Sequence, residues 1–282
     1  MATTTYTKGG IPLRNLSSST SPTAATAKRY TPSITSTISP STLAPSTIST
    51  KHSLLPPSVP FLPTSTLQIQ TAGKALFRLP SPLKDLTIPI FSLETGRPIY
   101  LSVRSKRSSG SCELIDAESE AEAGAVFAST IYHWGPGKNP VVRIHVEGGE
   151  AEEFEVLGKS LVSRTTVFEC RWGSFEWRYA GRKERGEGVS SLLVLEGVEG
   201  GERVRIAQLV RGEGTRSPGS SGSSAGNGGR LEMCLDDTEG CKGKVIDEPT
   251  VVSTCLVMLK KEVDRRRALQ VAMISIAISG AH

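Results

Sequence analysis

Asp247-Glu-Pro-Thr-Val-Val-Ser-Thr-Cys-Leu-Val-Met-Leu259 decides how the rest of this 282-residue chain is read. Acids in a first turn and proline at the opening position favour helix initiation, because the unpaired N–H groups there carry partial positive charge and proline has none to lose. Val251, Val252, Cys255, Leu256, Val257, Met258 and Leu259 then make the segment apolar nearly all round. Such a helix belongs inside a protein. Lys260-Lys-Glu-Val-Asp-Arg-Arg-Arg267 follows, placing five cations where a helix dipole favours them, so the expected core helix covers 249–267. Ala268–Ser279 is apolar again, but twelve residues fall short of the ~20 that cross a bilayer. A last strand, a continued helix and a surface anchor all fit that segment.

Upstream of this helix, from Thr66 onward, short apolar runs alternate with turn residues. Leu67–Gln70, Ala75–Leu79 and Ile88–Leu93 come first, and Glu94-Thr-Gly96 turns the chain into Ile99–Val103. Cys112–Ile115, Ala125–Tyr132, Val141–Val146, Phe154–Leu157, Val162–Cys170, Phe175–Tyr179, Leu192–Leu195, Val204–Val210 and Leu231–Leu235 continue the series to thirteen. Short strands at this spacing, rich in β-branched and aromatic residues, predict an all-β sandwich or barrel. Residues 211–229 interrupt it with seven Gly and five Ser, the composition of a flexible loop inserted in a hairpin.

Residues 1–65 hold 27 Ser or Thr and nine of the 17 prolines, with apolar residues only singly placed. A segment that buries so little surface is expected to be a disordered tail. Ser-Pro or Thr-Pro pairs begin at Ser21, Thr31, Ser39, Ser81 and Ser217, and are expected phosphorylation sites. The net charge of +5 is unevenly spread. Eight of the 33 Lys and Arg precede Asp85, the first acid, so residues 85–282 carry −3. That balance excludes a basic nucleic-acid binder. No secretory signal is expected, which points to the cytoplasm; the acid-free, hydroxyl-rich start leaves a mitochondrial transit peptide as the alternative.

Two basic clusters sit in expected hairpin turns: Arg104, Lys106 and Arg107, and then Arg182 and Lys183 beside Arg178 and Arg185. Side by side they could hold a phosphate, because guanidinium and ammonium groups donate charge-assisted hydrogen bonds to its oxygens. The plainer reading is a pair of solvated turns. Phe175, Trp177 and Tyr179 alternate at period two and share one sheet face, an interior stripe rather than a ligand platform, with Glu176 and Arg178 pointing out. The five cysteines, Cys112, Cys170, Cys234, Cys241 and Cys255, lack zinc-knuckle spacing and are expected to be reduced, although a Cys234–Cys241 disulfide is conceivable. Within the domain only His133 and His145 could serve as catalytic bases, and no Gly-x-Ser-x-Gly elbow or phosphate-binding Gly-rich loop accompanies them.

A strand-rich chain closing on an apolar helix resembles the tubby C-terminal-like superfamily, to which LURP-one-related and scramblase-like proteins and many fungal domains of unknown function belong. Gly124-Ala-Val-Phe127, the aromatic hairpin Phe168–Tyr179, Arg205-Ile-Ala-Gln-Leu209 and Glu248–Leu256 carry the resemblance, which spans residues 67–267. It implies a closed antiparallel barrel of about twelve strands around a buried C-terminal helix, within a domain at 66–282. It also implies binding of phosphoinositide head groups through basic residues on the barrel. The expectation is therefore a monomeric, non-enzymatic binding module without metal or cofactor. Its partner would be an anionic membrane lipid met by Arg104, Lys106, Arg107, Arg182 and Lys183. The alternatives are a structural or protein-interaction barrel with no small ligand and, third, an uncharacterised hydrolase.

Overall fold

A computed structural model describes residues 61–75, 85–107, 109–118, 124–133, 138–146, 148–159, 163–199, 201–235 and 246–279. Residues 1–60 of the tail expected at 1–65, the serines and threonine at 21, 31, 39 and 81, and most of the expected strand at 75–79 lie outside them, whereas Ser65, the last residue of that expected tail, opens a strand. The first seven strands are β1 (Ser65–Ile69), β2 (Thr87–Ser92), β3 (Pro98–Val103), β4 (Cys112–Asp116), β5 (Val126–Ile131), β6 (Val141–Ile144) and β7 (Glu152–Glu155). Then come β8 (Leu157–Gly158), β9 (Thr166–Cys170), β10 (Gly173–Tyr179), a 3-10 turn at Arg182–Glu184, β11 (Val189–Glu199), β12 (Glu202–Gly212) and β13 (Gly229–Met233). A single helix, α1 (Glu248–Ser279), ends the described chain.

All the strands join one antiparallel sheet in the order β7-β6-β5-β4-β3-β2-β1-β13-β12-β11-β10-β9-β8. The two edges are the same piece of chain. Residues 152–155 pair with β6, Val156 is fully buried, and Leu157–Gly158 then pair with β9. A strand that changes partner at one residue carries the sheet round on itself, and the barrel is nearly closed. Counting β7 and β8 as one bent strand leaves a ring of twelve, which agrees with the sequence expectation.

Helix α1 fills the interior. Thr250 through Leu259 are all buried, and the inward residues of the strands, among them Ile69, Ile90, Phe168, Phe175, Trp177 and Leu209, pack with them into one core. Phe154, Phe168 and Phe175 stack in a row with successive ring centroids 5.3 Å apart. The aromatic hairpin is thus core. On its outer face Glu176 and Arg178 point away from the core and join an ion ladder with Glu196 and Arg203. The Thr254 hydroxyl is satisfied inside the barrel: Trp177 Nε1 donates to Thr254 Oγ1 at 3.0 Å, and that hydroxyl donates back to the Thr250 carbonyl at 2.8 Å.

Because every neighbour is antiparallel, β1, β3, β5, β7, β10 and β12 run one way and finish at one end of the barrel. The helix starts beside the first residue of β1, where Ser65 Oγ donates to Glu248 Oε2 at 2.9 Å. It passes the last residue of β10, where the Tyr179 hydroxyl donates to Glu262. It therefore leaves the barrel at the end where those six strands finish, hereafter the exit end.

Three expectations need correction. The helix does not stop at 267 but runs unbroken to Ser279, because residues 268–279 hold no proline or glycine to end it. The 211–229 segment is not loose. Ser217 is 4% exposed, its hydroxyl accepts from Thr71 N and donates to the Ile69 carbonyl, and Lys74 and Ala225 exchange backbone bonds. Ser217 is therefore no open phosphorylation site. Cys234 is disulfide-bonded, whereas Cys112, Cys170 and Cys255 are free thiols; Cys241 lies outside the described residues.

Candidate anion-binding site

The exit end is basic and the opposite end acidic. Among the described residues, the strand connections at the exit end contain eleven Lys and Arg against Asp85, Glu184, Glu187 and Glu213. Those at the other end contain Glu94, Glu118, Glu150 and Asp247 against Arg97 and Arg171. A pocket of about 550 Å³ at the acidic end is lined by Glu94, Glu118 and Glu248, with Arg97 their one cation. An anion is repelled there and attracted at the exit end.

The residues singled out in the sequence divide. Arg104 is 7% exposed, and its guanidinium donates to the Asp85 carbonyl, tying the β3–β4 turn to the segment entering β2. Burial lowers its pKa below that of a free guanidinium, against the opposing pull of Cys112 and Asp85. Lys106, Arg107, Arg182 and Lys183 are exposed at the exit end. They do not lie side by side: the β3–β4 and β10–β11 turns face each other across the ring, with five strands between β3 and β10 in either direction. One small ligand does not reach both.

A different constellation converges on a pocket of about 350 Å³ at this end. Arg164 precedes β9, Ser190 and Ser191 open β11, Ser223 and Ser224 belong to the folded 213–228 connection, and Arg265 and Arg266 come from the fifth turn of α1. Arg265 donates to the Ser163 carbonyl and Arg266 to the Ser223 carbonyl, at 3.1 and 3.0 Å, which holds both guanidiniums at the rim. Among the described residues, a buried nitrogen of Arg266, Nη1, has no hydrogen-bond partner. Arg164 lies 5.7 Å from the Tyr179 ring centre.

The pocket floor is an ion pair. Arg211 donates to both carboxylate oxygens of Glu262, at 2.7 and 2.8 Å, and also to Asn227 Oδ1 and Ser191 Oγ. Glu262 further accepts from the Tyr179 hydroxyl and from Gly226 N at 2.7 Å. Burial alone would raise the Glu262 pKa. The Arg211 hydrogen bonds and charge, helped by Tyr179 and Gly226, more than offset it and hold the carboxyl below its usual value. Its negative charge is thereby cancelled by Arg211, leaving Arg164, Arg265 and Arg266 to set the sign of the pocket. Gly226 is required here. Its φ is +68°, and a Cβ would lie 2.6 Å from the Leu259 carbonyl and against Val263.

Sequence reasoning missed these residues because their signal is spread over four segments. By residue type the cluster at 260–267 suits helix termination better than a ligand, and nothing near Arg164 marks it. Neither of these two pockets is lined by a histidine, and His145 Nε2 and Ser129 Oγ are 3.0 Å apart on the exposed surface. Among the described residues no group of His, Cys, Asp and Glu is placed to hold a metal ion. No protein family, curated protein or solved structure matches the chain, so the site is read from its geometry.

Proposed function

We propose that this domain is a non-enzymatic binding module for a phosphorylated, anionic head group, seated in the pocket of Arg164, Arg265 and Arg266. The observation that carries the reading is the convergence of three guanidiniums and four serine hydroxyls on one pocket, above a Glu262 already neutralised by Arg211. Guanidiniums bind phosphate oxygens through charge-assisted, often bidentate hydrogen bonds, and hydroxyls adapt to whichever oxygens remain. Arg182 and Lys183 on the neighbouring turn, and Lys106 and Arg107 across the mouth, add long-range attraction. The tubby-like resemblance belongs to the same proposal, and the helix-filled barrel supports it in layout.

Calorimetric titration of the full chain with a soluble inositol trisphosphate tests the reading. Saturable binding should weaken about tenfold or more when Arg164 and Arg265 are both changed to Gln, since each removes a charge-assisted bond. Changing Lys106 and Arg107 to Gln should leave that binding within about twofold, because screened charges across the mouth contribute little. No saturable binding, or equal binding by the Arg164→Gln, Arg265→Gln variant, refutes the proposal in favour of a barrel without a small ligand.

A further inference from the structure

Beyond Arg267 the helix leaves the barrel and continues as bare apolar surface. Every residue from Ala268 to Ser279 except Gln270 is exposed, and Ile276 and Ile278 are 72% and 62% exposed. Water is a poor solvent for such a segment. At about 100° per residue, Leu269, Met273 and Ile276 fall on one side while Val271, Ile274 and Ile278 fall on the other. Side-by-side packing on a partner's surface or on a second copy covers one stripe of a helix and leaves the opposite stripe wet, and an all-round apolar helix needs enclosure. A hydrocarbon solvent covers both.

Three further observations select that solvent. The only described hydroxyls on the extension bond back to the helix: Ser275 Oγ donates to the Val271 carbonyl at 3.1 Å and Ser279 Oγ to the Ser275 carbonyl at 2.9 Å. That arrangement satisfies both hydroxyls where water is missing. The twelve residues are ~18 Å long, against ~15 Å for half of a bilayer's hydrocarbon core. Arg265, Arg266 and Arg267 ring the root of the extension, and the rest of the exit end carries the surplus of Lys and Arg described above. Gln270 Nε2 donates to the Ala75 carbonyl at 3.2 Å and fixes that root to the barrel.

We infer that residues 268–279 insert into one leaflet of an anionic membrane as a rigid anchor, with the basic exit end of the barrel lying on the lipid head groups. This shares with the head-group reading the premise of an anionic membrane and the cations Arg265 and Arg266, which line the pocket and also ring the root. It does not depend on the Arg164 pocket, and a membrane lacking phosphoinositides suffices. The twelve described residues reach through one leaflet, and among the described residues no helix is long and apolar enough to cross. The acidic end of the barrel then faces away from the lipid, so charge and anchor orient the domain in the same sense.

The test uses the full chain with vesicles of phosphatidylcholine, with and without phosphatidylserine. The chain should float with the mixed vesicles, and Ile274→Asp together with Ile276→Asp should weaken this at least about tenfold, because a carboxylate at that depth opposes insertion. Both positions are exposed, so the variant should keep the parent's melting temperature and its binding of inositol trisphosphate. The Arg164→Gln, Arg265→Gln pocket variant should still insert, which separates failure of one proposal from failure of the other. An Ile276→Trp variant should gain fluorescence that brominated acyl chains quench, unlike Trp177, which stays inside the barrel. Absence of that quenching overturns the inference. So does light scattering that shows a dimer dispersed by the Asp substitutions without vesicle binding, since the apolar helix would then serve a second copy.

Discussion

Replacing Glu262 by leucine leaves the Arg211 guanidinium in a place where water cannot repair the loss. The two side chains are 4% and 10% exposed, and the carboxylate takes two of the guanidinium's hydrogen bonds, the Tyr179 hydroxyl and the Gly226 N–H. Breaking a buried pair by removing one partner costs about 3–5 kcal/mol, because the remaining charge is desolvated and unpaired. For a domain of this size each kcal/mol shifts the midpoint by about 2–4 °C, so the variant should melt roughly 6–20 °C lower. Removing both charges, with Arg211→Met and Glu262→Leu, should recover most of the loss, since a buried pair is worth little against apolar residues of similar volume. Urea unfolding at neutral pH, followed by circular dichroism with the slope held common, measures all three stabilities. The pH dependence follows with a definite sign. Glu262 has a depressed pKa in the folded state, so its contribution is complete above the unfolded value of about 4.3 and is lost as pH falls through the folded value. The wild-type protein should therefore lose stability below pH ~4 faster than the double variant. A Glu262→Leu cost under about 1 kcal/mol, or a double variant as unstable as the single, refutes the claim that this pair locks the helix to the barrel mouth.

Two other perturbations read the same region. Gly226→Ala should destabilise by about 2 kcal/mol or more, because the positive φ strains any side chain and a Cβ would clash with Val263 and with the Leu259 carbonyl; equal melting temperatures would contradict this. Lys261 has its pKa pushed down to about 8, by burial first and then by Arg265, while its ammonium donates to the Val156 carbonyl at 3.1 Å. Its charge opposes folding below that pKa, and the penalty is relieved as the pH rises from about 8 towards the unfolded value of about 10.4. Lys261→Met should thus be more stable than the parent at pH 7, and the gap should narrow by pH ~9.5 in paired thermal melts.

Much of the fold is legible locally. Phe175, Trp177 and Tyr179 alternate, so any sheet containing them turns one aromatic face inward, whatever its neighbours are. Val251 to Leu259 leave no polar stripe, so the only stable place for that helix is an interior. The exit site is not legible in this way. Arg164, Ser190, Ser223 and Arg265 are far apart in sequence, and no local pattern relates them. Their meeting depends on β7 and β8 bending at Val156 to complete the ring and on α1 being threaded from the acidic end to the basic one. The same strand order explains why the two basic turns, similar in sequence, stand on opposite sides of the mouth.

The run from Lys260 to Arg267 shows where the two kinds of information part. Residue type alone supports helix termination there, because cations suit a helix C-terminus. In the folded protein Lys260 pairs with Asp264, Lys261 with a strand-end carbonyl, Glu262 with Arg211, and Arg265 and Arg266 with loop carbonyls, so the run is a collar where the helix leaves the barrel. Apolar periodicity is a local property of the chain, and it suffices to put an apolar helix inside a shell of strands. Which end of that shell is basic, which arginines converge on a pocket, and that the helix emerges with twelve residues to spare follow from strand order and closure between segments distant in sequence.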